Sequence, residues 1–125
     1  MFSYRDKLYV YIKEKYKCEP EYLWRSFPGY AVFRHDNNRK WFAAIMDIMP
    51  EKLGIEGAER VDVLNVKTGD PVFTDVLLGK DGYFKAYHMN VRNSVSIILD
   101  GTVPFSEICG ILDESFSVTS LKKKD

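Results

Sequence analysis

A β-hairpin signature between residues 30 and 48 constrains the fold more than any other feature of this sequence. Two largely apolar stretches, YAVFRH and KWFAAIMDI, enclose the turn Asp36–Arg39. Aspartate and asparagine in that turn tolerate the left-handed backbone conformations that tight turns require. The second stretch is apolar at nearly every position, which is typical of a strand covered on both faces. The sequence therefore predicts an antiparallel hairpin whose second strand ends at Pro50.

Capping signals predict a helix at the start of the chain. Ser3 is suited to cap it, and Asp6 follows three positions later, as in a capping box. Five side chains then share one helical face: Tyr4, Leu8, Tyr11, Ile12 and Tyr16. We expect this helix to end near Lys17, ahead of Pro20.

Strand and helix signals alternate in the second half of the chain. Residues 61–67 predict a third strand, and Asp70 and Gly79 suit the start and the end of a short helix. The β-branched stretch 94–100 predicts another strand. A last helix is expected from Pro104, and its apolar face carries Phe105, Ile108, Cys109 and Leu112.

This order of elements predicts an α+β fold. We expect one antiparallel sheet with the N- and C-terminal helices packed on it. Segment 51–60 is predicted to be a loop, and segment 82–93 is predicted to be extended or irregular. A chain of 125 residues that is 46% apolar is able to bury one core. We therefore expect a single domain over residues 1–119, followed by a charged tail over 120–125.

The sequence predicts a cytoplasmic protein with no membrane segment. Its N-terminus lacks the continuous apolar core of a signal peptide, and no stretch approaches about eighteen consecutive apolar residues. Cys18 and Cys109 are 91 positions apart without a CxxC motif, so we expect two free thiols. Cys109 shares the apolar spacing of the last helix, which favours a packing role.

Catalytic signatures are missing from the sequence. It contains no GxSxG, P-loop or GxGxxG motif. His35 and His88 have no partner at metal-ligand spacing, and His35 is expected to end a strand beside the hairpin turn. We therefore expect no catalytic activity, no metal and no cofactor.

Nucleic-acid binding has more support among the polar residues than catalysis has, although the residues alone favour basic turns that only keep the protein soluble. Total charge is balanced, with 18 basic and 18 acidic residues, but residues 1–40 carry nine basic against five acidic side chains. Candidate DNA contacts lie around the hairpin tip and in a later loop: Arg34, Arg39, Lys40, Lys85, His88, Asn90, Arg92 and Asn93. Arginine and lysine neutralise phosphates, and asparagine can also contact base edges. This prediction requires the hairpin tip and the loop to lie on the same face of the sheet.

Three alternatives compete with DNA binding. Basic turns also keep a neutral protein soluble and protect sheet edges. A protein-interaction or small-ligand module would gather Tyr22, Trp24, Tyr83 and Tyr87 on one exposed, concave face. An enzyme would place His88 within hydrogen-bond reach of an acid in a pocket.

The sequence resembles the MmcQ/YjbR family over nearly its whole length. The similarity lies in WRSFPGYAVFRH, in LNVKTGDP, and above all in YHMN followed by a strand ending in LDG. It also includes a proline-bearing helix that ends in the Asp-x-Ser-aromatic segment Asp113–Phe116. The resemblance implies a frataxin-like (CyaY-like) α+β fold, also called a double-wing domain, and a DNA-binding label. It implies no catalytic residue or cofactor, and it maps a polar loop onto His88, Asn90, Arg92 and Asn93.

Two positions depart from that family pattern. Relatives often have a lysine after the loop asparagine and a tryptophan near the start of the next strand, whereas this chain has Val91 and Ser94. If those family residues serve binding, this chain is expected to bind more weakly than its relatives. We expect a DNA-binding protein of low sequence specificity, either a monomer or a weak homodimer.

Overall fold

A computed structural model describes residues 3–120 of the protein. In chain order its elements are helix α1 (Tyr4–Tyr16), strands β1 (Ala31–Arg34) and β2 (Trp41–Ile48), a 3-10 turn (Pro50–Leu53), strand β3 (Val61–Lys67), helix α2 (Pro71–Leu78), strands β4 (Tyr83–Lys85) and β5 (Ser94–Ile98), and helix α3 (Phe105–Thr119). The strands form one antiparallel sheet in the order β1-β2-β3-β5-β4. The predicted α+β fold is confirmed. Except for Ser120, the predicted tail lies outside the described residues.

The predicted capping signals act as expected at two helices. Ser3 Oγ accepts a hydrogen bond from the Asp6 backbone N–H at 3.1 Å, at the start of α1. Asp70 Oδ1 accepts one from the Phe73 N–H at 3.0 Å, at the start of α2. These bonds satisfy donors that would otherwise lack a partner in the first helical turn.

Two segments are more ordered than the sequence indicates. The predicted loop 51–60 begins inside the 3-10 turn Pro50–Leu53. The segment 82–93 contains the edge strand β4, which pairs Tyr83 with Ile97 and Lys85 with Val95. A strand of three residues is too short to show alternation in a sequence, so it was not predicted as an element.

Helices α1, α2 and α3 cover one face of the sheet, which we call the helix face. Its buried side chains come from all three helices and all five strands, and they include Leu8, Ile12, Phe33, Phe42, Ile45, Leu64, Leu77, Tyr83, Val95, Ile97, Ile108 and Leu112. Close packing of this kind carries most of the hydrophobic stabilisation of a small domain. No helix among residues 3–120 is long and apolar enough to cross a membrane.

The Asp-x-Ser-aromatic segment joins α3 to the rest of the helix face. Ser115 Oγ donates to the Phe42 carbonyl at 2.5 Å and accepts the Lys67 backbone N–H at 2.8 Å. The Phe116 ring stacks on Tyr16 with centroids 4.0 Å apart. This part of the family resemblance therefore has a structural role.

Asp113 in the same segment is the centre of a hydrogen-bonded cluster. It accepts hydrogen bonds from the Tyr11 and Tyr16 hydroxyls and from Lys15 Nζ. Burial alone would raise the pKa of Asp113, but these hydrogen bonds outweigh it and lower the pKa below its ordinary value. The carboxylate stays ionised and ties α3 to α1.

His35 lies beside the hairpin turn, as predicted. Its backbone N–H donates to the Lys40 carbonyl at 3.0 Å. The side chain is buried, with Nε2 2.8 Å from Thr119 Oγ1. Burial lowers the pKa of His35, so the imidazole is neutral near pH 7 and belongs to the core.

Candidate functional site

The opposite face of the sheet, which we call the pocket face, is covered by loops. The residues buried there are Tyr30, Val32, Ala44, Met46, Ile48 and Val63, and Trp24, Trp41 and Tyr87 pack against them. The covering segments are 21–30, ahead of β1, and the loop 86–93. Loops cover a sheet less completely than helices, and this face contains two adjoining pockets.

A buried polar network fastens the loop 86–93 to the pocket face. Ser96 Oγ donates to Asn65 Oδ1 at 2.5 Å, and Asn65 Nδ2 donates to the Tyr87 carbonyl at 2.7 Å. The Tyr87 N–H donates back to Ser96 Oγ at 3.0 Å. Asn65 and Ser96 are fully buried, and a satisfied polar network at buried positions specifies one geometry. The YHMN segment is therefore held in a fixed place on the sheet.

The two asparagines of the loop shape its backbone. Asn90 Oδ1 accepts the Arg92 N–H at 2.8 Å, which closes an Asx turn. The Asn93 carbonyl accepts the Thr68 N–H at 2.8 Å, which ties the loop to the end of β3. His88 has the left-handed φ of 60°, a conformation in which histidine is among the better tolerated side chains.

The larger pocket, about 550 Å³ in volume, lies between the hairpin tip, the end of β3 and this loop. We call it the basic pocket, and its lining residues are Arg34, Arg39, Lys40, Trp41, Lys67, His88, Met89, Asn90, Val118 and Thr119. Four of them are arginine or lysine. Because none is acidic, the pocket suits an anion.

One acidic side chain outside the lining neutralises part of this charge. Glu21 Oε2 lies 2.8 Å from an Arg39 guanidinium nitrogen, and Glu21 Oε1 lies 3.4 Å from Arg34 Nε. The Arg34 guanidinium also lies 5.6 Å from the centroid of Trp41. Lys40 and Lys67 form no ion pair with any of residues 3–120. These two lysines are thus the most available cations of the pocket.

The smaller pocket, about 200 Å³ in volume, is lined mainly by aromatic rings. We call it the aromatic pocket, and its lining residues are Trp24, Phe27, Tyr30, Trp41, Met46 and His88. The rings of Trp24 and Trp41 meet edge-on with their centroids 5.8 Å apart, and the rings of Phe27 and Tyr30 stack with their centroids 4.7 Å apart. Trp41 and His88 line both pockets, which makes the two pockets neighbours.

The structure brings together five of the eight residues predicted to contact DNA. Arg34, Arg39, Lys40, His88 and Asn90 line the basic pocket. Part of the hairpin tip and part of the loop therefore meet at one pocket, and their contact with DNA stays a prediction. Lys85 lies apart from this group, because it lines a separate pocket at the β4 edge together with Lys52. Arg92 and Asn93 do not line the basic pocket.

The aromatic residues predicted for an interaction module do not form one surface. Tyr83 lies on the helix face, where its hydroxyl donates to Glu107 Oε2 at 2.6 Å. Trp24 and Tyr87 pack on the pocket face, and Tyr22 is 58% exposed. That grouping was wrong because β4 ends at Lys85 and Tyr87 belongs to the loop that follows, which packs on the other face of the sheet.

Sequence reasoning missed Lys67 and Glu21. Lys67 ends β3, and the pairing of Ala43 with Val66 brings it beside the start of β2. Glu21 reaches the arginines because its backbone forms an isolated bridge to Val32. The antiparallel pairing of β2 with β3 was the signal that could have found Lys67, but its register is not visible in the sequence.

One structural finding concerns metal binding. Residues 3–120 contain no group of three or more histidine, cysteine, aspartate or glutamate side chains placed to hold a metal ion. The side chains that line the two pockets around His88 include no carboxylate. Cys18 and Cys109 are free thiols, and burial raises the pKa of Cys109 to about 11.

Comparison with known sequences gives two matches over most of the chain. The family model described as YjbR matches residues 13–118. The uncharacterized protein YyaQ of Bacillus subtilis (strain 168) is 38% identical over 115 residues, which is 92% of this chain and 97% of YyaQ.

Comparison with solved structures gives the same fold. A crystal structure of a Pseudomonas syringae protein superposes with a TM-score of 0.90 at 40% identity, covering 93% of this chain and 98% of that one. A solution NMR structure from the same organism gives a TM-score of 0.86 at 40% identity, covering 97% and 96%. A crystal structure of Deinococcus radiodurans protein DR2400 matches with a TM-score of 0.68 at 19% identity, covering 91% of this chain and 76% of that one. This last match supports the fold alone.

Proposed function

The chain belongs to the YjbR family, and from that premise we propose that it is a DNA-binding protein that holds phosphate groups in the basic pocket. The observation that carries the proposal is the convergence of Arg34, Arg39, Lys40 and Lys67 around one pocket without an acidic lining residue. Neutralising phosphates with lysine and arginine supplies most of the affinity of sequence-independent DNA binding.

The proposed mechanism assigns separate roles to the pocket residues. Lys40 and Lys67 contact phosphate oxygens directly, because neither is engaged in an ion pair within residues 3–120. Arg34 and Arg39 contribute after Glu21 releases them, since phosphate competes with the carboxylate for the same guanidinium groups. Asn90 keeps the loop in shape through its bond to the Arg92 N–H.

Low sequence specificity follows from where the pocket lies. Its residues come from a hairpin, a strand end and a loop, together with Val118 and Thr119 at the end of α3. Major-groove readout places several side chains of one helix against base edges, and the basic pocket contains no such helical row of polar side chains. Backbone contacts position a protein on DNA without selecting a sequence.

The setting that we propose is a cytoplasmic protein that binds without catalysing a reaction. Reduced thiols are usual in the cytoplasm, and Cys18 and Cys109 are both unpaired. We propose that the protein binds as a monomer, in which Arg34, Arg39, Lys40 and Lys67 together supply the phosphate contacts.

The proposal is tested by the salt dependence of binding to a fluorescent DNA duplex. We compare the wild type with a double variant, Lys40→Ala with Lys67→Ala, over a series of salt concentrations. The matched control is Lys52→Ala with Lys85→Ala, which removes the same charge from the separate pocket at the β4 edge. Each lost phosphate contact should reduce the slope of log affinity against log salt by about 0.9.

The expected result is a slope reduced by about two in the pocket variant and little changed in the control. Equal losses in both variants would mean that DNA responds to total charge, not to the pocket. If the wild type does not bind duplex at low salt and high protein concentration, the proposed function fails.

A further inference from the structure

We propose that the aromatic pocket receives one unpaired nucleobase while the phosphate beside that base lies in the basic pocket. This inference rests on the proposed function and makes it more specific. It names the form of nucleic acid that the site prefers, which is a strand with unstacked bases, and it gives the aromatic pocket a role.

The shared walls of the two pockets are the first argument. Trp41 and His88 line both pockets, so a ligand that contacts these two side chains is in reach of both. A nucleotide has two parts that match the two pockets: a planar ring for the aromatic pocket and an anionic phosphate for the basic pocket. Base stacking on aromatic side chains beside a positively charged groove is the usual means of binding single strands without sequence preference.

The size and lining of the aromatic pocket are the second argument. At about 200 Å³ it is smaller than the roughly 300–1,000 Å³ of pockets that take drug-sized molecules. A single ring system is therefore a better match than a larger ligand. Its rim carries Phe27, which is 44% exposed, and the exposed His88, so a ring can enter from solvent.

Rigid anchoring is the third argument. Tyr30 is 4% exposed and stacks on Phe27, and Trp24 contacts both Tyr30 and Trp41 edge-on. The loop that carries His88 is fastened through Asn65. A preformed pocket avoids the cost of ordering side chains when the ligand binds.

Base pairing decides which nucleic acid can use this pocket. A base inside a duplex is covered above and below by its neighbours, and it must leave the stack before it can enter a protein pocket. A single strand pays less for this step. The duplex is therefore expected to use the basic pocket alone, and a single strand is expected to use both pockets.

The two tryptophans provide a built-in reporter. The chain contains two tryptophans, and both Trp24 and Trp41 line the aromatic pocket. A base that stacks there contacts both tryptophans and should quench the intrinsic fluorescence strongly, whereas a phosphate in the basic pocket reaches only Trp41 and should change it less.

The experiment titrates the protein with four probes at one low salt concentration. They are a single strand of about eight nucleotides, a strand with the same phosphates but no bases, the corresponding duplex and a nucleoside monophosphate. Affinity is measured by competition against a labelled strand, and tryptophan fluorescence is followed in parallel. Phe27→Ala tests the pocket rim, and the control Tyr22→Ala removes another exposed aromatic side chain that lies outside the pocket.

The inference predicts that the intact strand binds about tenfold more tightly than the strand without bases. Probes with an unpaired base should quench the fluorescence more strongly than the strand without bases, and Phe27→Ala should reduce the tenfold ratio while Tyr22→Ala keeps it. Quenching by the nucleoside monophosphate at similar affinity would also support the base pocket and identify a free nucleotide as its ligand.

Two other results overturn the inference in distinguishable ways. If strands with and without bases bind equally and change the fluorescence equally, the base pocket is excluded while phosphate binding stands. If no probe binds, the proposed function fails and the inference fails with it.

Discussion

The two faces of the sheet differ in how they are covered, and the difference separates stability from binding. The helix face is covered by α1, α2 and α3 and holds the larger apolar core, including Phe33 and Phe42 at 0% and 1% exposure. The pocket face is covered by segment 21–30 and the loop 86–93, and it contains the basic and the aromatic pockets. A site positioned by a rigid scaffold and lined by loops is a common arrangement in binding proteins.

The largest effect should come from removing a core ring on the helix face. Phe33→Ala deletes a fully buried side chain that packs near Tyr9 and Phe42, and it should lower the free energy of unfolding by about 3–5 kcal/mol. On the pocket face, Phe27→Ala should cost only about 1 kcal/mol, the worth of one aromatic pair. Urea unfolding of both variants checks the contrast, and equal losses would contradict the division between faces.

A smaller loss is expected where α3 is joined to the sheet. Ser115→Ala leaves the Lys67 N–H and the Phe42 carbonyl without their partner. Burying unpaired polar groups should lower the free energy of unfolding by about 1–3 kcal/mol. Ser117→Ala, at an exposed position of the same helix, is the control. If Ser115→Ala left the free energy of unfolding unchanged, the Ser115 hydrogen bonds would not be what holds α3 to the sheet.

Much of the fold is predictable because its signals are local. The hairpin turn and the caps at Ser3 and Asp70 depend on residues close in sequence, and the structure forms all three. The strand β4 is not predictable from the sequence, because three residues are too few to show the alternation of apolar and polar side chains. The order of the strands, with β5 between β3 and β4, depends on contacts far apart in sequence.

The site was predictable only where sequence proximity matches proximity in space. Arg34, Arg39 and Lys40 flank one turn, so their grouping follows from the hairpin. Lys67 joins them through the register of β2 with β3. Lys85 is close to His88 in sequence, but it belongs to a strand at the sheet edge and lines a different pocket.

On the pocket face, removing an acid should strengthen binding. Glu21→Gln frees Arg39 and Arg34 from their shared carboxylate. An exposed ion pair is worth about 0.2–1 kcal/mol, so duplex affinity should rise by at most about fivefold. Glu19→Gln is the control, because Glu19 pairs with Lys13 instead, at 3.5 Å. Weaker binding by Glu21→Gln would show that Glu21 positions the arginines and does not compete with phosphate.

The smallest expected effect is a pH dependence of stability, which should come from the histidine of the helix face and not from the histidine of the pocket face. Burial lowers the pKa of His35 from its ordinary 6.5, so the unfolded chain takes up this proton more readily than the folded chain. The corresponding stability is fully present above about pH 6.5 and is lost as the pH falls through the folded-state pKa. Unfolding measured from pH 7.5 to 5 should show this loss, and His35→Gln should reduce it. The control His88→Gln removes the exposed histidine of the pocket face; if it alone reduced the loss, His35 would not be the cause.

Ligands are expected to bind the pocket face, and the helix face is expected to support it. At 14.5 kDa the protein is suited to NMR, and the most direct test is a titration of the labelled chain with a short single-stranded oligonucleotide. We expect amide shifts concentrated at Trp41, Lys67, His88 and Asn90, with little change at Ile12 and Ile108 in the helix-face core. Shifts concentrated instead in the cleft between α2 and α3, around Phe73 and Ile111, would contradict it.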